Sequence, residues 1–324
     1  MRLDRRRFIQ RGSLLALGAY VGRAFGQRVP HSAFGPDATA EEVTAGIDLS
    51  GKTVVVTGCN SGIGLETMRV LALRGAHVVG TARTAERGRD ACASVEGRTT
   101  PVVLELSDFG SVVACAEQIR ALDLPIDVLI CNAGVLLTEL EQVRGLEKQF
   151  VVNHLGHFLL TRRLLENLVA APQGRVVVVG SIAHAQAPPG GIQFDNLSGE
   201  GWARQAYGHS KLANGLFSLE LSRRLRGTSA TSNCLHPGVV ATNIMRHMNF
   251  RPRAGGGGGF GGMKTPAQGA ATSCYLASSP ALAHVSGEYF ADCNPADQSD
   301  YQRDTAMAAK LWEVSEELVR DYLV

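Results

Sequence analysis

A doubly wound α/β fold, one parallel sheet with helices on both faces, is what this sequence predicts, on three observations. Short β-branched runs alternate with helical patterns from Gly51 towards the C-terminus. The runs carry no polar alternation, which is how strands covered on both faces read. The first, Val54-Val55-Val56, leads through Gly58, Gly62 and Gly64 into apolar residues at helical intervals from Ile63 to Leu73. Strand, glycine turn and helix in that order open a βαβ unit.

Residues 1–26 stand apart as a targeting segment. Arg5, Arg6, Arg7 and Arg11 border an uncharged run from Gly12 to Gly22, and Ala24-Phe25-Gly26 offers a small-x-small site, the grammar of a signal peptide. At ~1.5 Å per residue the run reaches about 17 Å as a helix, short of a hydrocarbon core of about 30 Å. Arg5-Arg6-Arg7-Phe8-Ile9 resembles the core of twin-arginine export signals, with Asp4 departing from the usual Ser or Thr. Export to a periplasm is the first expectation; a membrane anchor and an organelle transit peptide are the alternatives.

Residues 27–50 read as a linker with a short lead-in helix, opened by the capping box Thr39/Glu42 and closed at Gly46. Residues 51–324 form the single Rossmann domain. After the first strand and helix, Ala76 to Thr81 predicts a second strand, with a polar helix to about Val95. Further strands are expected at Val102 to Leu106, Ile126 to Cys131, Val176 to Gly180, Ser232 to Leu235 and Gly287 to Phe290. Helical patterns separate them at Val112 to Leu122, Leu146 to Leu168 and Tyr207 to Arg226. Thr265-Pro266-x-Gln268 opens another helix, to about Ala277, and Thr305 to Leu323 closes the chain. The glycine-rich stretch between Met245 and Met263 has no periodicity and reads as a surface loop.

Composition excludes several functions. The net charge of +2 is spread over 324 residues without a basic, aromatic-interleaved patch, so nucleic acid is not an expected partner. The seven cysteines form no CxxC pair and read as separate thiols, Cys131 and Cys234 serving as small apolar residues where strands end. His154, His157, His184 and His209 lack a metal-ligand set and read as helix-surface or supporting residues, with His184 able to touch substrate.

The chemistry gathers at strand ends. A glycine turn brings backbone N–H groups and a helix N-terminus to one space, which suits a dinucleotide pyrophosphate. Tyr207 and Lys211 lie one helical turn apart on one face. A phenol of pKa about 10 must lose about three units, or about 4 kcal/mol, to exchange a proton near neutrality. An ammonium ~4 Å away at an effective dielectric of about 20 supplies that much. Ser181 follows one strand and Asn132-Ala133-Gly134 another, at the edge where doubly wound sheets place ligands. Asn153 lies on the helix between them.

Thr57-Gly58-x-x-x-Gly62-Ile63-Gly64, Asn132-Ala133-Gly134, Asn153, Ser181, Tyr207-x-x-x-Lys211 and Pro237-Gly238-x-x-x-Thr242 together resemble the short-chain dehydrogenase/reductase family, in the family's order. The match runs from about Gly51 to the C-terminus, and NHLGHF, HPGVV and YFADC are similar to retinol-dehydrogenase and WW-domain-oxidoreductase members, although no WW domain is present.

That resemblance implies an alcohol–carbonyl oxidoreductase acting on an apolar compound by hydride transfer. Tyr207 would be the general acid/base, Lys211 would lower its pKa and hold the nicotinamide ribose, Ser181 would hydrogen-bond the carbonyl, and Asn153 would hold a water. Asn60, Ser61 and Ile63 of the turn, and Leu106, would join the glycines in binding cofactor. Asn132 would brace the sheet edge, with Ala133 and Gly134 beside it, and Thr242 would contact the pyrophosphate or carboxamide beyond Pro237-Gly238. Glu105 stands where the family usually has Asp near the adenine. No acid is available at Thr81 or Ala82 for a ribose 2′-hydroxyl, and Arg83 offers charge to a 2′-phosphate, so NADP is favoured and NAD is possible. A homodimer paired through the helices of Asn153 and Tyr207 is a possibility in the family. The rival reading is a dinucleotide-binding regulatory or scaffold protein without turnover.

Overall fold

The computed structural model describes residues 29–202, 205–240, 242 and 263–323. The targeting segment 1–26 and nearly all of the glycine-rich stretch lie outside the described residues. Within them, a capped turn α1 (Ala40–Val43) precedes β1 (Thr53–Val56), α2 (Gly62–Leu73), β2 (His77–Ala82), α3 (Ala85–Ala93), β3 (Thr99–Val103), α4 (Phe109–Arg120) and β4 (Val128–Cys131). A small hairpin, β5 (Gln142–Val143) with β6 (Leu146–Glu147), leads into α5 (Lys148–Phe150), a π-helical turn at Val151–Leu155, α6 (Gly156–Ala170) and β7 (Arg175–Val179). Then come α7 (Ala206–Arg224), β8 (Thr231–His236), α8 (Pro266–Ser278), β9 (Tyr289–Ala291), β10 (Asn294–Pro295), α9 (Asp300–Arg303) and α10 (Thr305–Leu318).

The main sheet has eight strands in the order β10-β9-β8-β7-β4-β1-β2-β3. All its pairs are parallel except β9 with β10, an antiparallel edge the sequence did not suggest. Strands β1, β4 and β7 are buried at every position, as the unalternated valine runs require. One apolar layer packs α4, α6, α7 and α10 on one face, around Phe150, Leu160 and Leu216; the other packs α2 and α8, around Met68 and Leu71. Because β1 continues outward to β2 and β3 while β4 returns to its other side, the chain reverses between β1 and β4. A crevice must open there at the strands' C-terminal ends.

Several expected boundaries move. The third strand begins at Thr99 and ends at Val103, because Val78 to Ala82 pair with Thr99 to Val103 and Glu105 then turns back onto Ser107. The helix expected from Leu146 starts after β6, and its apolar spacing conceals the π turn. Cys234 is inside β8 rather than at its end. All seven cysteines are free and buried. Among the described residues no helix is long and apolar enough to cross a membrane.

The C-terminal helix α10 covers the outer side of α6 and α7. Trp312 is buried, stacked on Phe217 with centroids 6.0 Å apart and edge-on to Phe158 at 4.9 Å. The guanidinium carbons of Arg224 and Arg162 lie 4.4 and 5.4 Å from its ring centroid. The outer side of α6 and α7 around Phe158 and Phe217 is therefore packed against α10. Trp312→Ala is expected to cost about 3–5 kcal/mol, read as a lower urea midpoint at unchanged slope; a loss below about 1 kcal/mol would contradict this packing.

Candidate active site

The glycine turn is built by close backbone approach. A Cβ at Gly64 would stand 2.3 Å from the Gly58 carbonyl oxygen and 2.5 Å from Asn132 Nδ2, and one at Gly58 would meet Ala133 Cβ at 2.9 Å. Gly62, at φ +58°, lies beneath Thr242. The Thr57 hydroxyl accepts from the N–H groups of Asn132 and Ala133, each at 2.9 Å, and Asn132 Nδ2 donates to the Thr57 carbonyl at 2.8 Å. Ser61 starts α2 without a side-chain capping bond. The first N–H groups of α2 are thus left for an anion, which fits a dinucleotide's pyrophosphate.

Across the crevice, β7 ends at Val179, and Ser181 caps the 3₁₀ turn Ile182–Gln186 by accepting from the Ala183 N–H at 3.1 Å. Helix α7 docks onto that turn through Gly208, where a Cβ would lie 2.7 Å from the Gln186 carbonyl. This contact sets Tyr207 against Ser181. Burial pushes the phenol up to about 12, against the neighbouring Ser181 hydroxyl, which lowers it. The expected lowering by Lys211 is not found. Its ammonium donates to the Val179 carbonyl at 2.9 Å and lies 5.7 Å from the Tyr207 ring centroid. Burial brings Lys211 itself down to about 8.

Asn153 sits in the π turn, fully buried, its amide accepting from Val135 N at 2.8 Å and donating to Val135 O and Ser210 Oγ. At Gly134 an added Cβ would lie 3.2 Å from Asn153 Oδ1 and 3.8 Å from Lys211 Nζ, so the two groups converge on one spot.

One cleft of about 800 Å³ joins these parts. Asn60, Ser61, Gly62 and Ile63 line it at the turn, Asn132 to Gly134 at its centre, and Ser181, Tyr207 and Lys211 at one side, with Pro237, Gly238 and Thr242 above. Thr57 and Asn153 stand behind the wall rather than in it, both at 0% exposure. Arg83, Glu105 and Leu106 line the far end, where the Glu105 carboxylate accepts from both the N–H and hydroxyl of Ser107.

The cleft also includes residues the sequence reading passed over. Arg87 joins Arg83 in the wall because Thr84 caps α3, bringing the first turn of that helix to the rim. The spacing Arg83-x-x-x-Arg87 was visible; that both reach the cleft needed the cap. Val135, Leu137 and Val152 supply apolar wall.

The histidines are not surface residues. His154, His157, His184 and His209 are all buried. His184 has both ring nitrogens engaged: its Nδ1 donates to the Ser181 carbonyl at 2.7 Å, and its Nε2 accepts from the Ser299 N–H at 3.1 Å. Burial drives His154 and His209 down to about 3, so both are neutral. Among the described residues no group of His, Cys, Asp and Glu could hold a metal ion.

The model of a known family, described as short chain dehydrogenase, matches residues 52–252. The chain is 41% identical to short-chain dehydrogenase TIC 32 A, chloroplastic, of Brassica napus, over 89% of this chain and 95% of that protein. It is 42% identical to human retinol dehydrogenase 11, over 85% of this chain and 88% of the relative. A solved structure from Mycobacterium paratuberculosis, titled a putative uncharacterized protein, superposes with a TM-score of 0.70 at 32% identity, covering 86% of this chain and 97% of that one.

Gly64 is the sharpest test of the turn, since its helical backbone accepts alanine without strain and only the contacts with Gly58 O and Asn132 Nδ2 object. Gly64→Ala is expected to weaken NADPH binding about tenfold or more in a fluorescence titration, a loss of at least about 1.4 kcal/mol; wild-type affinity would show that the turn yields freely.

Proposed function

The chain belongs to the short-chain dehydrogenase family of oxidoreductases, and within it we propose that it interconverts an apolar carbonyl compound and its alcohol with NADP(H). The observation that carries this reading is the single cleft that brings Ser181, Tyr207 and Lys211 together with the glycine turn. The family binds NAD(P). The choice of NADP rests on Arg83 and Arg87 in the cleft wall and on Thr81 and Ala82 where an acid would be needed for NAD.

When bound, the dinucleotide supplies or accepts the hydride. The chain's own residues manage the proton. In reduction the Ser181 hydroxyl donates a hydrogen bond to the carbonyl oxygen, and the Tyr207 phenol, protonated at neutral pH, delivers its proton as charge develops there. Lys211 keeps a positive charge behind the phenol as it becomes phenolate. Val135 and Leu137 in the cleft, and Ile182, exposed next to Ser181, favour an apolar substrate of the kind retinol dehydrogenase 11 is named for.

A scaffold that binds the dinucleotide without turnover is the rival. It would not need the costly burial of a lysine with no carboxylate partner beside a phenol. The name of the Brassica napus relative favours reading residues 1–26 as an organelle-targeting segment over twin-arginine export.

Tyr207→Phe is expected to lower kcat for NADPH-dependent aldehyde reduction by about 10²–10⁴ with the protein still folded; undiminished NADPH oxidation would overturn the assignment. Reduction needs the protonated phenol and oxidation the phenolate, so with the phenol at about 12 alcohol oxidation should climb with pH while reduction stays level until pH nears that value. Rates of both that rise together with pH would contradict Tyr207 as the exchanging group. Arg83→Ala with Arg87→Ala is expected to raise the KM for NADPH about tenfold to a hundredfold relative to NADH, the worth of lost charge-assisted bonds.

A further inference from the structure

The reaction assigns no task to His157, yet this ring connects two parts of the site. It lies in the first turn of α6, 2% exposed. Its Nδ1 is 3.0 Å from the Asn153 carbonyl oxygen in the π turn, and its Nε2 is 2.9 Å from the Thr57 hydroxyl under the glycine turn.

Hydrogen-bond accounting fixes the protons. A carbonyl only accepts, so Nδ1 carries the hydrogen. Burial, followed by the opposing bond to Asn153 and the repulsion of Lys211, holds the ring well below its usual range, at about 4, so it is neutral. Nε2 is then a bare acceptor, and the Thr57 hydroxyl must donate to it. The two lone pairs of that hydroxyl already accept from Asn132 N and Ala133 N. The alternative acceptor, Ile130 O, is farther, at 3.3 Å, and would leave Nε2 unpaired. Every polar atom in this buried chain has a partner only in this one arrangement.

We propose that His157 is a positioning residue: as the neutral Nδ1–H tautomer it ties the Asn153 carbonyl to the Thr57 hydroxyl, locking the π turn behind Lys211 to the strand end that carries the glycine turn. The π turn widens the helical ladder to i→i+5 bonds, as from the Gly156 N–H to the Val151 carbonyl, a form that recurs at functional sites. Here His157 bonds the carbonyl of the residue whose amide converges with Lys211 on the space at Gly134. The other end of the ring holds the hydroxyl that receives Asn132 and Ala133. A shift at either end moves both the nucleotide turn and the proton-handling side, and misplacement on the scale of 1 Å is enough to cost about a hundredfold in rate.

The inference rests on the proposed NADP(H) reaction only for its kinetic arm. On the wild-type full chain with ¹³C- and ¹⁵N-labelled histidine, NMR assigned through the bonds that link ring to backbone should show a protonated Nδ1 and a bare Nε2 at pH 7.5. An Nε2–H tautomer or an imidazolium there overturns the proposal whether or not any variant folds. In the second arm, His157→Gln and Thr57→Val are each expected to raise the Kd for NADPH about tenfold, and to lower kcat for NADPH with decanal about tenfold while its KM stays within about twofold. The double variant should be no worse than Thr57→Val alone, because both break one bond. Independent, multiplying losses, or lower thermal stability with wild-type Kd and kcat, would reduce His157 to core packing. Wild-type protein that binds NADPH but reduces no aldehyde would sink the proposed reaction and leave the tautomer and Kd measurements to decide this inference.

Discussion

Pairing of β1 with β4 is the constraint from which the site follows. Val54 to Val56 lie in parallel register with Val128 to Ile130, and the chain leaves these two strands towards opposite edges of the sheet. Nothing can bridge their C-terminal ends without filling the crevice. The glycine turn and Asn132-Ala133-Gly134 must therefore face each other at close range. Side-chain atoms are excluded from Gly58 and Gly64 by that proximity, and the Thr57 hydroxyl receives the N–H groups of Asn132 and Ala133 just past the end of β4.

Burial dominates the electrostatics around Tyr207 and Lys211. Tyr207 and Lys211 are shifted in opposite directions by the same cause, loss of water, which penalises phenolate and ammonium alike. The Val179 carbonyl receives the ammonium, and Asn214 donates to the same oxygen at 3.3 Å. A pair described by charge attraction alone would put the proton in the wrong place: here burial leaves it on the phenol at neutrality. Packing of α10 over α6 and α7 buries the outer side of those helices and brings Ser315 to His154 at 2.8 Å.

Much of the arrangement was legible because the determining signals are local. Valine runs without alternation can only be covered strands, and glycines where a chain must bend or approach a neighbour leave a spacing that survives without coordinates. Tyr207 and Lys211 share a helix, so their neighbourhood is a matter of pitch. What was missed involves partners distant in sequence. Whether the histidines lie on helix surfaces or behind the site stayed open because their partners, Ser315 for His154, Ser299 for His184 and Thr57 for His157, lie far along the chain. The π turn was hidden because one extra residue in a turn barely disturbs apolar spacing.

The order of strands and helices, the glycine turn and the identity of the groups at the sheet's edge were therefore determined by sequence alone, since each depends on residues within a few positions of one another. Only the tertiary structure decided which way Lys211 points, how far burial raises Tyr207, that Arg87 reaches the cleft, and that α10 occupies the outer side of α6 and α7. Those outcomes depend on desolvation and on contacts across the whole chain, and no local pattern records how much water is removed from a side chain or what removes it.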